Sequence, residues 1–171
     1  MADDVTDRVF LLEALARFIR EACTVPGVLR VAVIGSLTTD KTSPKGADVL
    51  VTVQDDVEIK TLAALGRKLQ GGAQKRNRGA DIFLANPRNA YIGRACGYRE
   101  CHPRRSCSGA SCYLGRWIRD DFHVLRLPER LIAEPPLEVW PRVVVRVQLP
   151  SDTRAILLGE DGQQGAAHSE R

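Results

Sequence analysis

Apolar positions along the first ninety residues alternate between a helical rhythm and short unbroken runs. Leu11, Leu15, Phe18 and Ala22 recur three or four apart, with Arg8, Glu13, Arg17 and Arg20 between them. That spacing lays one apolar stripe along a helix, which Thr6 is placed to cap and which ends near Ala22. Pro26-Gly27 breaks the pattern, and a β-branched run, Val31 to Ile34, follows and stops at Gly35-Ser36. A second run spans Val49 to Val53, and a third spans Ile82 to Ala85 before Asn86-Pro87. Runs this short, bounded by Gly, Ser and Pro, read as buried strands. Between the second and third, Ile59, Leu62, Ala63, Leu65, Gly66 and Leu69 mark another apolar helix face, expected to stop at Gly71-Gly72. Strands alternating with helices predict an α/β layered core.

The character changes at Tyr91. Cys96, Cys101, Cys107 and Cys112 follow as C-x4-C-x5-C-x4-C, with His102 beside them, in a segment rich in Gly, Ser, Pro and Arg. No apolar periodicity holds that segment together. Four thiolates on one Zn²⁺ would do so, since a tetrahedral structural site supplies folding energy to a loop-rich piece. Reduced structural thiols and two disulfides are the alternatives. Cys23, alone near the end of the first helix, reads as a small core residue. Beyond residue 119, Leu137, Val139 and Trp140 are expected to pack on the core, while Val143 to Val147 separates poorly into strand or helix. The division expected is therefore 1–90 as the α/β core, 91–119 as the cysteine-rich module, 120–158 as a C-terminal packing segment and 159–171 as a disordered polar tail.

The chain's 171 residues suffice for a sizeable core, and 44% hydrophobic with 27% charged residues is ordinary for a globular protein. A net charge of +4 suits an anionic ligand. The acidic MADDVTDRVF start lacks the basic region of a secretory signal, and no apolar stretch is long enough to span a bilayer, so a cytoplasmic address without membrane association is expected.

Candidate chemistry gathers around the first two strands. A glycine at a strand end lets backbone approach a ligand, and Ser36 offers a hydroxyl beside backbone N–H groups. Lys41 and Lys45 lie in the polar turn that follows, and Asp48 leads the second run. Lys68, Lys75, Arg76 and Arg78 cluster before the third run and would border the same pocket, or simply face solvent. Arg94, Arg99, Arg104, Arg105, Arg116 and Arg119 interleave with Tyr91, Tyr98, Tyr113 and Trp117, a mixture that grips phosphates and stacks on bases, which makes nucleic acid a candidate partner.

A strand closed by Gly35-Ser36, a polar turn, an acidic strand start at Gly46-Ala47-Asp48 and a further carboxylate in Gly79-Ala80-Asp81 together resemble the nucleotidyltransferase superfamily related to DNA polymerase beta. The resemblance covers roughly Val28 to Ala85. It implies a small mixed sheet with flanking helices. It further implies that Gly35 and Ser36, helped by Lys41 and Lys45, hold the phosphates of a nucleoside triphosphate. Asp48 would help hold Mg²⁺, and Asp81 would share it and orient or deprotonate the attacking hydroxyl of an acceptor. The chain departs from the family's D-x-D at Gly46, where the first aspartate belongs. The family therefore implies two roles for this domain: nucleotidyl transfer, or nucleotide or partner binding by an impaired relative.

Overall fold

The computed structural model describes residues 2–96, 117–119 and 125–160, with side chains from residue 6 except that of Arg119. Cys101, Cys107, Cys112, His102 and most of the tail from 159 to 171 lie outside the described residues, as do Tyr98, Tyr113, Arg99, Arg104, Arg105 and Arg116.

A mixed sheet of seven strands is flanked by helices, in the order β5-β4-β3-β2-β1-β6-β7. Helix α1 (Ala2–Ala22) leads into β1 (Val28–Ile34), a 3₁₀ turn at Gly35–Thr38, and β2 (Gly46–Val53). Helix α2 (Ile59–Gln74) crosses to β3 (Gly79–Ala85), and β4 (Tyr91–Ala95) and β5 (Ile118–Arg119) extend that edge. Helix α3 (Glu129–Ala133), β6 (Leu137–Trp140), β7 (Val144–Val145) and helix α4 (Ser151–Leu158) complete the fold. Among the described residues only β2 and β3 run parallel, as a pair joined by a helix permits; the other pairs are antiparallel.

Each face of the sheet carries its own core. On one, Leu11, Leu15 and Phe18 of α1 and Leu62 and Leu69 of α2 cover Val31, Val33, Val49, Val51, Ile82 and Leu84. Every large side chain buried there contributes on the order of 2 kcal/mol of hydrophobic stabilisation. Ile156 and Leu157 of α4 join the same side, and Val139 and Trp140 pack against it, as expected for the C-terminal segment. On the opposite face, among the described residues, Ala32, Ile34, Leu50, Phe83, Ala85 and Tyr91 meet Leu127 and Ile132. Arg30 fastens α3 to this second face, donating to the carbonyls of Ile132 and Ala133 and pairing with Glu138 at 3.3 Å.

Several element boundaries differ from expectation. Helix α1 starts before Thr6, which lies inside it. Helix α2 runs through Gly71 and Gly72, a cost of about 1 kcal/mol each relative to alanine. The stop is Asn77, at φ 53°, which closes a Schellman motif: Arg78 N–H donates to Ala73 O at 3.0 Å and Asn77 N–H to Gln74 O at 3.0 Å. Strands β2 and β3 begin at glycines, so Asp48 and Asp81 are third residues rather than strand heads. Tyr91 to Ala95, assigned to the cysteine-rich module, is a strand of the core sheet. Within Val143 to Val147 only Val144–Val145 is strand.

Candidate functional site: a carboxylate pair beside the Gly35 turn

Gly46-Ala47-Asp48 lies directly beside Gly79-Ala80-Asp81, glycine against glycine and aspartate against aspartate. Register partners in a parallel pair point to the same face, about 4.8 Å apart along the hydrogen-bonding direction. Parity puts both carboxylates on the Leu50 and Phe83 side, away from α1 and α2. The repeated Gly-Ala-Asp triplet is the sequence signal for this pairing. Asp48 is also the antiparallel partner of Ile34, so the turn beginning at Gly35 sits next to its carboxylate.

Gly35 is fixed by two independent constraints. Its φ is +74°, a left-handed conformation disfavoured for any side chain. A Cβ there would also lie 2.5 Å from Asp48 Oδ2. The turn after it is a single 3₁₀ turn, stitched by Thr38 Oγ1 donating to Gly35 O at 2.8 Å and Thr39 Oγ1 to Ser36 O at 2.9 Å. One turn aligns few peptide dipoles, so its field on an anion is smaller than that of a full α-helix N-terminus.

Arg8 holds the turn from behind. Read from the sequence as a polar position on α1, it is 6% exposed. Its guanidinium donates to the carbonyls of Leu37 at 3.2 Å and Lys41 at 3.0 Å, to Thr153 Oγ1 at 2.9 Å and to Asp152 Oδ2 at 2.7 Å. Thr153 Oγ1 in turn donates to Leu37 O at 2.8 Å. One buried cation thus ties the phosphate-loop candidate to α4. No sequence pattern marks it, because its partners come from both ends of the chain. The Lys41 and Lys45 side chains are exposed, while their backbones are anchored, Lys45 O by Gly79 N–H at 2.9 Å.

Among the described residues, the electrostatics set two neighbouring acids beside the Arg94 guanidinium. Burial, then the charge of Asp81, pushes the Asp48 carboxyl up to about 6, and Arg94 pulls the other way. Arg94 Nη1 donates to Asp81 Oδ1 at 2.7 Å. A register shift makes this contact possible: Phe83 pairs with Arg94 and Leu84 with Gly93, but Ala85 pairs with Tyr91. Gly93, at φ +121°, takes up the extra residue, so Tyr91 and Arg94 face the same side although three apart.

Gly46 leaves no room for a side chain. A Cβ at 46 would stand 2.6 Å from Gly79 O, a backbone atom that cannot swing aside. The basic cluster before β3 does not border the site either. Arg76 and Arg78 pair with Asp7 of α1, and Lys68 pairs with Glu21, all on the helical side. Two of the aromatic residues proposed for stacking on bases are already engaged. Tyr91 is buried with its ring tilted against Phe83, and Arg67 lies 5.0 Å over the Trp117 ring.

Cys96 is buried, its N–H donating to Trp117 O at 3.0 Å, but the other three cysteines of the zinc expectation lie outside the described residues. Cys23 packs against the helical core as expected, and burial pushes its thiol up. No group of three His, Cys, Asp or Glu side chains placed to hold a metal occurs among the described residues. Also among them, no helix is long and apolar enough to cross a membrane. A cleft of about 670 Å³ opens elsewhere, lined by Val53 to Lys60, Asn86, Ile92, Trp117 and Ile118, at the opposite end of β2 from Asp48. Comparison of the chain with family models, curated proteins and solved structures finds no match.

Proposed function

We propose that this chain is a nucleotidyltransferase-like domain that binds a nucleoside triphosphate, such as ATP, as its Mg²⁺ complex at Gly35, Ser36, Asp48 and Asp81. The observation that carries this reading is the register pairing of Asp48 with Asp81 next to the Gly35 turn. Burial first, and then the charge of Asp81, raise the Asp48 carboxyl, and a cation between the two carboxylates relieves the part that is repulsion. The donor set suits Mg²⁺, which is commonly held by one or two carboxylates and completes its shell with phosphate oxygens and water. Bound there, Mg²⁺ would neutralise phosphate charge. Gly35 keeps the backbone close to the ligand, and Arg8 keeps the Ser36–Lys41 carbonyls turned inward so that the turn holds its shape.

Binding without efficient transfer is favoured over full catalysis by Gly46. The family's first aspartate is absent, and a side chain in its place would collide with Gly79 O. In the transfer reading Asp81 orients or deprotonates the acceptor hydroxyl, and the product is a nucleotidylated acceptor plus pyrophosphate. Zinc held by Cys96, Cys101, Cys107 and Cys112, and nucleic-acid contact through the neighbouring arginines, belong to the same proposal as attached functions.

The test is incubation of the purified chain with each labelled nucleoside triphosphate and Mg²⁺, following nucleotide retention, pyrophosphate release and self-labelling. Retention with little release supports the reading. Sustained release that depends on Asp81 establishes transfer. No retention of any nucleotide removes both.

A further inference from the structure

Asp81 already has a cation. Arg94 Nη1 lies 2.7 Å from Asp81 Oδ1, with the arginine side chain only 15% exposed and the aspartate 39% exposed. A guanidinium is charged at every pH the folded chain experiences, so the positive member of this pair is permanent. The same charge reaches Asp48, whose carboxyl it pulls down against burial and Asp81. Arg94 points to this face because of the shifted register at Ile92-Gly93; in regular pairing it would project toward α2 instead.

We infer that Arg94 is an internal counter-cation that competes with a divalent metal for Asp81, closing the pair to a bare metal ion. The inference rests on the reading of Asp48 and Asp81 as a cation-holding pair. A metal entering alone must displace a charge-assisted hydrogen bond from one carboxylate of the pair, and it meets the repulsion of a fixed positive charge. Arg94 is therefore a positioning residue that sets the metal requirement.

The experiment is titration of the ligand-free chain with Mn²⁺, reading free Mn²⁺ by electron paramagnetic resonance above the Asp48 titration. Wild type, Arg94→Met, Arg94→Gln, Arg94→Lys, Asp81→Asn and the double variant Arg94→Met/Asp81→Asn are compared, with folding checked by circular dichroism. Expected is weak uptake by the wild type, a gain of about tenfold in the Met and Gln variants, and loss of that gain in the double variant. Arg94→Lys keeps the charge and stays near wild type, which a purely packing role would not produce. Equal uptake by wild type and the uncharged variants, abolished by Asp81→Asn, overturns the inference while leaving the carboxylate pair as a metal site. Uptake by none of them overturns both. Tight uptake by the wild type alone overturns the inference even if the uncharged variants fail to fold.

Discussion

Asp48 and Asp81 stand opposite each other in the parallel pair β2–β3, and burial together with that neighbouring negative charge pushes the Asp48 carboxyl up to about 6. A carboxyl raised above its unfolded value of 3.8 binds more protons folded than unfolded, so its contribution to stability falls as pH rises from about 4 to about 6. Asp48→Asn mimics the protonated form at all pH values. It should stabilise the chain by roughly 2 kcal/mol at pH 8 and have little effect at pH 4. Denaturant melts of both proteins across that range check the sign.

Gly35→Ala combines a strained φ with a collision against Asp48 Oδ2, and should destabilise by about 2–4 kcal/mol. Part of that penalty depends on the aspartate. Adding Asp48→Ala should therefore cost less than the sum of the two single changes, a coupling read from a double-mutant cycle.

Gly46 and Gly79 form a controlled comparison, since they are partners with opposite surroundings. Gly46→Asp meets Gly79 O at 2.6 Å, whereas a Cβ at 79 has only Lys45 O, 3.9 Å away. Gly46→Asp should fail to fold or lose several kcal/mol, with no gain in triphosphate turnover, while Gly79→Ala should fold with a change of about 1 kcal/mol or less. Thermal melts of the two variants decide it.

Arg8→Met removes the buried fork that holds the Ser36, Leu37 and Lys41 carbonyls and leaves Asp152 without its cation. The expected loss is about 2–4 kcal/mol, kept below the fully buried range because Asp152 is 30% exposed. Arg8→Lys should recover little, since an ammonium cannot bridge carbonyls and carboxylate at once. Hydrogen exchange should show protection falling at Leu37 to Lys41 before the sheet is affected.

Much of this arrangement is written in local pattern. The β-branched runs announce β1, β2 and β3, and the helical stripe between the last two implies a crossover and hence parallel pairing. That pairing sets Asp48 beside Asp81. Other features depend on partners distant in sequence. Arg8 looks like any solvated helix residue until Asp152 and Thr153 arrive from the far end of the chain. Arg94 looks like one arginine among many until the shift at Gly93 turns it toward Asp81. Helix α2 runs past Gly71 and Gly72, which are sterically free, to Asn77, which supplies the left-handed residue that closes it.

The most direct test of the carboxylate-pair account is calorimetric titration of the chain with ATP, with and without Mg²⁺, in wild type, Asp48→Asn and Asp81→Asn. The account predicts binding in the presence of Mg²⁺ that weakens about tenfold or more when the metal is withheld, and loss of that metal dependence in both asparagine variants. ATP bound equally with and without Mg²⁺, and equally by all three proteins, would contradict it.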